Sequence, residues 1–162
     1  MSTLFVDSIQ PKTTGGNVGI TNLTPQTGHV INFKKVTTNT NVVFPNNSTF
    51  TTFLSLNFTP LQANSTLLVD VSCSSVSKTT AGGGWIGIRL DLDSVDSGTM
   101  GGAFMYQTSA NDTRRAFHSR AVIDSWGTTS KLFEFKTYGA GTTASWSHQG
   151  VQSVMTITEI GA

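Results

Sequence analysis

An all-β fold, built as an antiparallel sandwich, is what this sequence predicts, and three observations predict it. The first is Trp85 to Asp93, WIGIRLDLD, where Ile86, Ile88, Leu90 and Leu92 alternate strictly with Gly87, Arg89, Asp91 and Asp93. A period of two places one set of side chains in a core and the other on the opposite face of a strand. The second is recurrence: short stretches of the same kind follow one another with turn residues every ~8–12 positions, and no stretch of helical period competes. The third is composition. Charged residues are 12% of the chain, roughly half the usual share of about 25%, and Ser, Thr, Asn and Gly take their places. Thr suits a pleated surface, Asn and Gly serve turns, and none of them builds helices well. Roughly eight or nine such strands make a sandwich of the jelly-roll kind.

In chain order, HVINFKKV opens the pattern at His29, with Ile31 and Phe33 on one face, and TTNTNVVFPNNSTF reads as a loop-rich link carrying Val42, Val43 and Phe44. Phe50 to Phe58 is the next strand, with Phe50, Leu54, Leu56 and Phe58 inward and Thr59-Pro60 ending it. Leu67, Val69, Val71 and Cys73 share the inner face of the strand after that, and Ala81 to Gly84 reads as the turn into the central strand. SVDSG then turns the chain, and Met100, Gly102, Phe104 and Tyr106 share a face. SANDT turns it again before a strand with Phe117, Ala121 and Ile123 on one side; Asp124 to Gly127 follows as a turn. Phe133 and Phe135 anchor Lys131 to Tyr138, TYGAGTTAS reads as a turn, and Val151 to Ile160 is the last strand. That strand ends two residues before the C-terminus, which suits a jelly roll whose first and last strands pair.

One core is expected from 162 residues, and it looks thin for a monomer. Val122 adjoins the inward Ile123, while Val154 and Ile160 lie opposite Val151, Met155 and Ile157. Apolar residues on both faces of late strands imply a second buried surface, which a homotrimer would supply.

Residues 1–28 differ in character. Leu4, Phe5, Val6 and Ile9 form one short apolar patch, Val18 and Ile20 another, separated by Pro11, Gly15, Gly16 and Gly19. Patches so short make no core, but each side chain buried against another protein would contribute ~1.5–3 kcal/mol. The chain is thus expected to divide into an attachment arm, 1–28, and a sandwich head, 29–162.

Several function classes lose support. A net charge of +1 with no basic cluster is no footprint for nucleic acid. No run approaches the ~18 apolar residues of a membrane span, and MSTLFVDSIQPK lacks the basic and apolar regions of a signal peptide. The single cysteine, Cys73, forms no disulfide framework or thiolate zinc site and suits a reducing cytoplasm. His29, His118 and His148 are scattered, and no nucleophile elbow, phosphate loop or metalloprotease motif occurs, so neither an enzyme nor a cofactor is expected. Asp91, Asp93 and Asp96 read as solvated acids beside Arg89; a calcium ion at a subunit junction is the alternative, and no metal is assigned. The candidate ligand contacts are Tyr106, Asn111, Arg114, Trp126, Trp146 and His148, aromatic and hydrogen-bonding side chains at strand ends, suited to stacking on a host surface glycan. The competing reading of the tryptophans is that they cap the sandwich or fill an interface.

The opening MSTLFVDSIQPKTTGGNV resembles the start of structural proteins of cyanophages and other aquatic tailed phages, of the form M-S-T-L-x-V-D-x-I followed by a Gly/Asn run. FTPLQANSTLLVDV at 58–71, IRLDLDS at 88–94, IDSWGTTSKLFEFKTYG at 123–139 and SVMTITEIGA at 153–162 resemble the trimeric TNF-like jelly-roll heads of fibres of those viruses. Residues 95–120 and 140–150 match nothing, and Trp126 stands where a proline is familiar. The resemblance implies a virion protein made in the host bacterial cytoplasm. Its N-terminal arm would dock on other virion proteins, and its trimeric head would recognise the host surface as a short tail fibre. The alternative is a capsid decoration protein or head fibre. The absence of a stem of repeats or coiled coil argues against a fibre. A third reading, a free carbohydrate-binding module, is disfavoured by the lack of a secretion signal or partner catalytic domain in the sequence.

Overall fold

The computed structural model describes residues 27–44, 46–47, 49–78, 82–107, 113–124 and 127–162, with the backbone alone at 82, 96–107, 113–114, 144 and 148. These residues form β1 (Val30–Thr38), β2 (Val42–Phe44), β3 (Thr51–Phe58), β4 (Thr66–Lys78), β5 (Gly82–Leu92), β6 (Val95–Gln107), β7 (Thr113–Asp124), β8 (Lys131–Ala140), β9 (Ala144–Trp146) and β10 (Ser153–Ile160), with a 3-10 turn at His148–Gly150.

The long strand β4 organises the first sheet. Along one side, β10 pairs with Thr66 to Cys73 and β9 with Val76 to Lys78; β7 runs along the other. Beyond β10 lies β1 and beyond β9 lies β2. Taken as two broken strands, β1/β2 and β10/β9 complete a sheet in the order β1/β2, β10/β9, β4, β7, which faces a second sheet in the order β3, β8, β5, β6. Eight strand positions in two antiparallel four-stranded sheets are the jelly-roll sandwich expected from the sequence. First and last strands do pair, and Gly28 and Gly161 extend their ladder by backbone hydrogen bonds of 2.8 Å.

The core lies between the sheets, and strict alternation located most of it. Ile86, Ile88, Leu90 and Leu92 are buried, as are Leu67, Val69, Val71 and Cys73, Phe133 and Phe135, and Met155 and Ile157. Phe117, Ala121 and Ile123 pack against them from β7.

Bulges and a very short strand account for the misplaced phenylalanines. A register shift between Val30 and Asn32 inverts the parity of β1, so Phe33 faces out, 55% exposed, and Val36 packs inward. Another between Thr52 and Leu54 brings Phe53 into the core with Leu54 and Leu56. Phe50 is on the outer face instead, against Tyr138 at 4.6 Å between centroids. An extra residue on one strand of a pair has this effect. The supposed link holds β2, whose Phe44 is 1% exposed. Gly82 to Gly84 belong to β5, and β8 runs on through Ala140. The turn after β5 is Asp93–Ser94 alone, both at positive φ (50° and 65°), as a tight two-residue hairpin requires. Val151 precedes β10 and is exposed.

Candidate assembly surface

The two outer faces of the sandwich differ in chemistry. On the second sheet, Arg89, Asp91, Glu134 and Lys136 form one ionic cluster. Asp91 is wholly buried, with Arg89 Nε at 2.6 Å and Lys136 Nζ at 2.8 Å. Glu134 accepts from Thr52 Oγ1 at 3.0 Å and Ser94 Oγ at 3.1 Å, and Lys136 Nζ lies 3.4 Å away. Phe50 stacks under the Arg89 guanidinium at 4.4 Å. Tyr138 reaches across Gly87, where a Cβ would fall 2.0 Å from the Tyr138 ring, so only glycine lets the ring lie there. Asp91 was expected to be solvated; it is an enclosed ion-pair partner, because β8 sets Lys136 opposite Arg89. Asp93 is exposed on the turn and accepts the Leu132 N–H at 2.8 Å.

Burial alone pushes the Asp91 and Glu134 carboxyls up. Hydrogen bonds outweigh it, from Lys136 and Arg89 to Asp91 and from Thr52, Ser94 and Lys136 to Glu134, and both groups sit below their ordinary values. The hydrogen bond to Asp91 raises Lys136. Depressed carboxyls contribute stability that is full above their unfolded values of about 4 and lost as pH falls through the lower folded values. The raised lysine contributes below its unfolded value of about 10.4 and loses that contribution as pH rises through the folded one. Urea midpoints measured from pH 7 down to 2 should therefore fall, and fall less steeply in Lys136→Met. Equal slopes would mean that the cluster is not linked to folding.

The outer face of the first sheet sets an apolar stretch beside its charged residues. Register alone sets its rows across β1, β10, β4 and β7: Val30, Ile160, Thr66, Asp124; then Phe33, Thr158, Leu68, Val122; then Lys35, Thr156, Asp70, Arg120; then Thr37, Val154, Ser72, His118. The first two rows hold Val30, Phe33 and Val122 at 60%, 55% and 58% exposure, with the half-buried Ile160 and Leu68 between them. The third row is polar. Arg120 donates to Asp70 through Nε at 2.7 Å and Nη2 at 3.1 Å, which raises the Arg120 pKa, and His118 Nε2 lies 3.4 Å from Asp70. This is the second apolar surface expected from Val122 and Ile160, enlarged by Phe33; Val154, also expected there, lies apart from it beyond the polar row. Parity predicted Phe33 inward, and the bulge in β1 brings it here.

Of the candidate ligand contacts, Trp146 is the one whose side chain lies among the described residues. Trp146 is a correction: it lies on β9, 0% exposed, with the rings of Phe53, Phe117 and Phe135 at 5.4, 5.3 and 5.5 Å, so it serves the core and not a ligand. Tyr106 lies on β6 opposite Gly83, Arg114 on β7 opposite Ser77, and His148 in the 3-10 turn, all by backbone placement. Asn111, Trp126 and the arm residues Leu4, Phe5, Val6, Ile9, Val18 and Ile20 lie outside the described residues.

Sequence reasoning missed Glu159. It is on the inner face of β10, 0% exposed, and its carboxylate accepts the N–H groups of Leu61 and Gln62 at 2.9 Å and the Ser65 hydroxyl at 2.7 Å. The signal was available, since Glu159 has the parity of Met155 and Ile157.

No protein-family model and no curated protein matches the sequence. Among solved structures, the chain is similar over 89% of its length to the infectious bursal disease virus VP2 subviral particle, at 17% identity and a TM-score of 0.42. It is similar over 90% to the structure of that virus's Gx strain, at 16% and 0.41, and over 86% to dimeric latent PorU from Porphyromonas gingivalis, at 10% and 0.43. The chain spans 37% of each of those viral chains and 14% of PorU. Overlaps this loose, reaching viral and bacterial proteins alike, carry no argument about function.

Proposed function

We propose that this chain is a structural protein of a tailed-phage particle, a jelly-roll head that works by binding other proteins rather than by catalysis. The observation that carries the assembly role is the pair of apolar rows on the outer face of the first sheet. In a lone chain they leave Val30, Phe33 and Val122 in water; covering each contributes ~1.5–3 kcal/mol. The virus enters through the resemblance of the opening and the strand motifs to phage fibre proteins. On that reading the heads are homotrimers, residues 1–28 are the arm that docks on another virion protein, and the particle is a virion assembled in the bacterial cytoplasm. The finer assignment is a short tail fibre whose head meets the host surface, with a surface glycan as ligand.

A second reading, a capsid decoration protein, is favoured by the placement of Trp146. Its removal to the core takes an aromatic from the proposed glycan contacts and leaves assembly surfaces as the more prominent feature.

Deleting residues 2–20 tests the arm. The truncated chain should fold with an unchanged melting temperature and fail to enter particles. Incorporation at the full-length level would refute the arm's role.

A further inference from the structure

We propose that the outer face of the first sheet mates with the same face of a second copy of this chain, about a two-fold axis running along the row Phe33, Thr158, Leu68, Val122. The register of the four strands supplies the argument. A two-fold in the plane of the contact and parallel to that row lays Phe33, Leu68 and Val122 on their own counterparts. It also lays the row on one side over the row on the other: Val30 over the stem of Lys35, Ile160 over Thr156, Thr66 over Asp70, and Asp124 over Arg120. Two opposite-charge contacts result, one on either side of the two-fold at its β7 end. Strands of the two copies run antiparallel, within the aligned class of sheet packing.

The other in-plane two-fold that keeps the two sheets aligned runs along the strands, and charge disfavours it. That axis sets β1 over β7, so Lys35 meets Arg120 twice and Val30 covers Asp124. Juxtaposed like charges cost several kcal/mol, so the first arrangement wins.

A surface that mates with itself closes on a two-fold. Three-fold heads would be joined in pairs through it and not held together by it. The inference is independent of the phage reading, which concerns what the assembly belongs to.

The test uses the full-length chain and its mass by light scattering and sedimentation across a concentration series. An even number of chains is expected, two or, with three-fold heads, six. Val122→Glu, at a site already 58% exposed, places two carboxylates together on the axis. It should halve the mass and weaken association on the order of 100-fold. Asp124→Lys should weaken it roughly tenfold, and adding Arg120→Glu should restore it. Residues 120 and 124 lie about 13 Å apart along one strand, too far to compensate each other within a chain, so restoration reports a contact between copies. A wild-type chain that is monomeric or contains an odd number of chains overturns the proposal. So does an unchanged mass for Val122→Glu, or a double variant no tighter than Asp124→Lys.

Discussion

Replacing Trp146 by alanine is expected to cost the fold about 3–5 kcal/mol, the range for removing a large aromatic from a packed core. The size follows from its position. Trp146 sits where β9 closes the first sheet against β4 and β2, and it is the common neighbour of Phe53 on β3, Phe117 on β7 and Phe135 on β8. Removing the indole leaves a void lined by three aromatic rings from both sheets, which no single side chain can fill. Since domains of this size are stable by only about 5–15 kcal/mol, the loss would be visible at once in a urea titration. Trp146→Phe supplies the control. The indole N–H has no acceptor among the described residues, so replacing the ring by a smaller apolar one sacrifices no hydrogen bond, and about 1–2 kcal/mol is expected. Equal losses for the two variants would mean that the ring packing is not what Trp146 contributes.

Glu159→Ala is the second large effect, about 2–4 kcal/mol. Its carboxylate is the acceptor for the loop that leaves β3, holding two backbone N–H groups and the Ser65 hydroxyl. Each donor orphaned in a part-buried site costs about 1–3 kcal/mol. Glu159→Gln keeps one carbonyl oxygen as acceptor and should lose roughly half as much. Hydrogen exchange at Leu61 and Gln62 would show where the damage falls. Protection lost at those two amides, with the β4 amides unchanged, is the expected pattern; uniform loss across the sheets would point to a packing defect.

How much of this was legible beforehand depended on bulges. WIGIRLDLD announced all four of its inward residues because nothing interrupts its period before the Asp93–Ser94 turn. The same rule failed for Phe33 and Phe50, each separated from the better-predicted part of its strand by a register shift that adds one residue to one side. A bulge leaves no fixed mark in a single sequence, so parity on its far side is a guess. Trp146 and Phe44 were missed for another reason. They lie on three-residue strands, β9 and β2, too short for alternation to be counted. Glu159 was readable and overlooked, since a carboxylate with inward parity must meet donors or be lost. The assembly face was half legible. Val122, Val154 and Ile160 pointed to a second apolar surface, but Val154 lies apart from it and Phe33 joined the other two only through the bulge in β1. The rows that put Asp124 over Arg120 exist only once four strands are in register.

The central claim, that this chain is a component of a virus particle, is tested most directly by labelling the C-terminal Ala162 and averaging images of intact, purified particles. Density from the label on the particle is the expected result. At tail or baseplate projections it would identify a short fibre, and over the shell a decoration protein. A labelled chain that stays wholly in the unassembled fraction, with no density on any particle, would contradict the account.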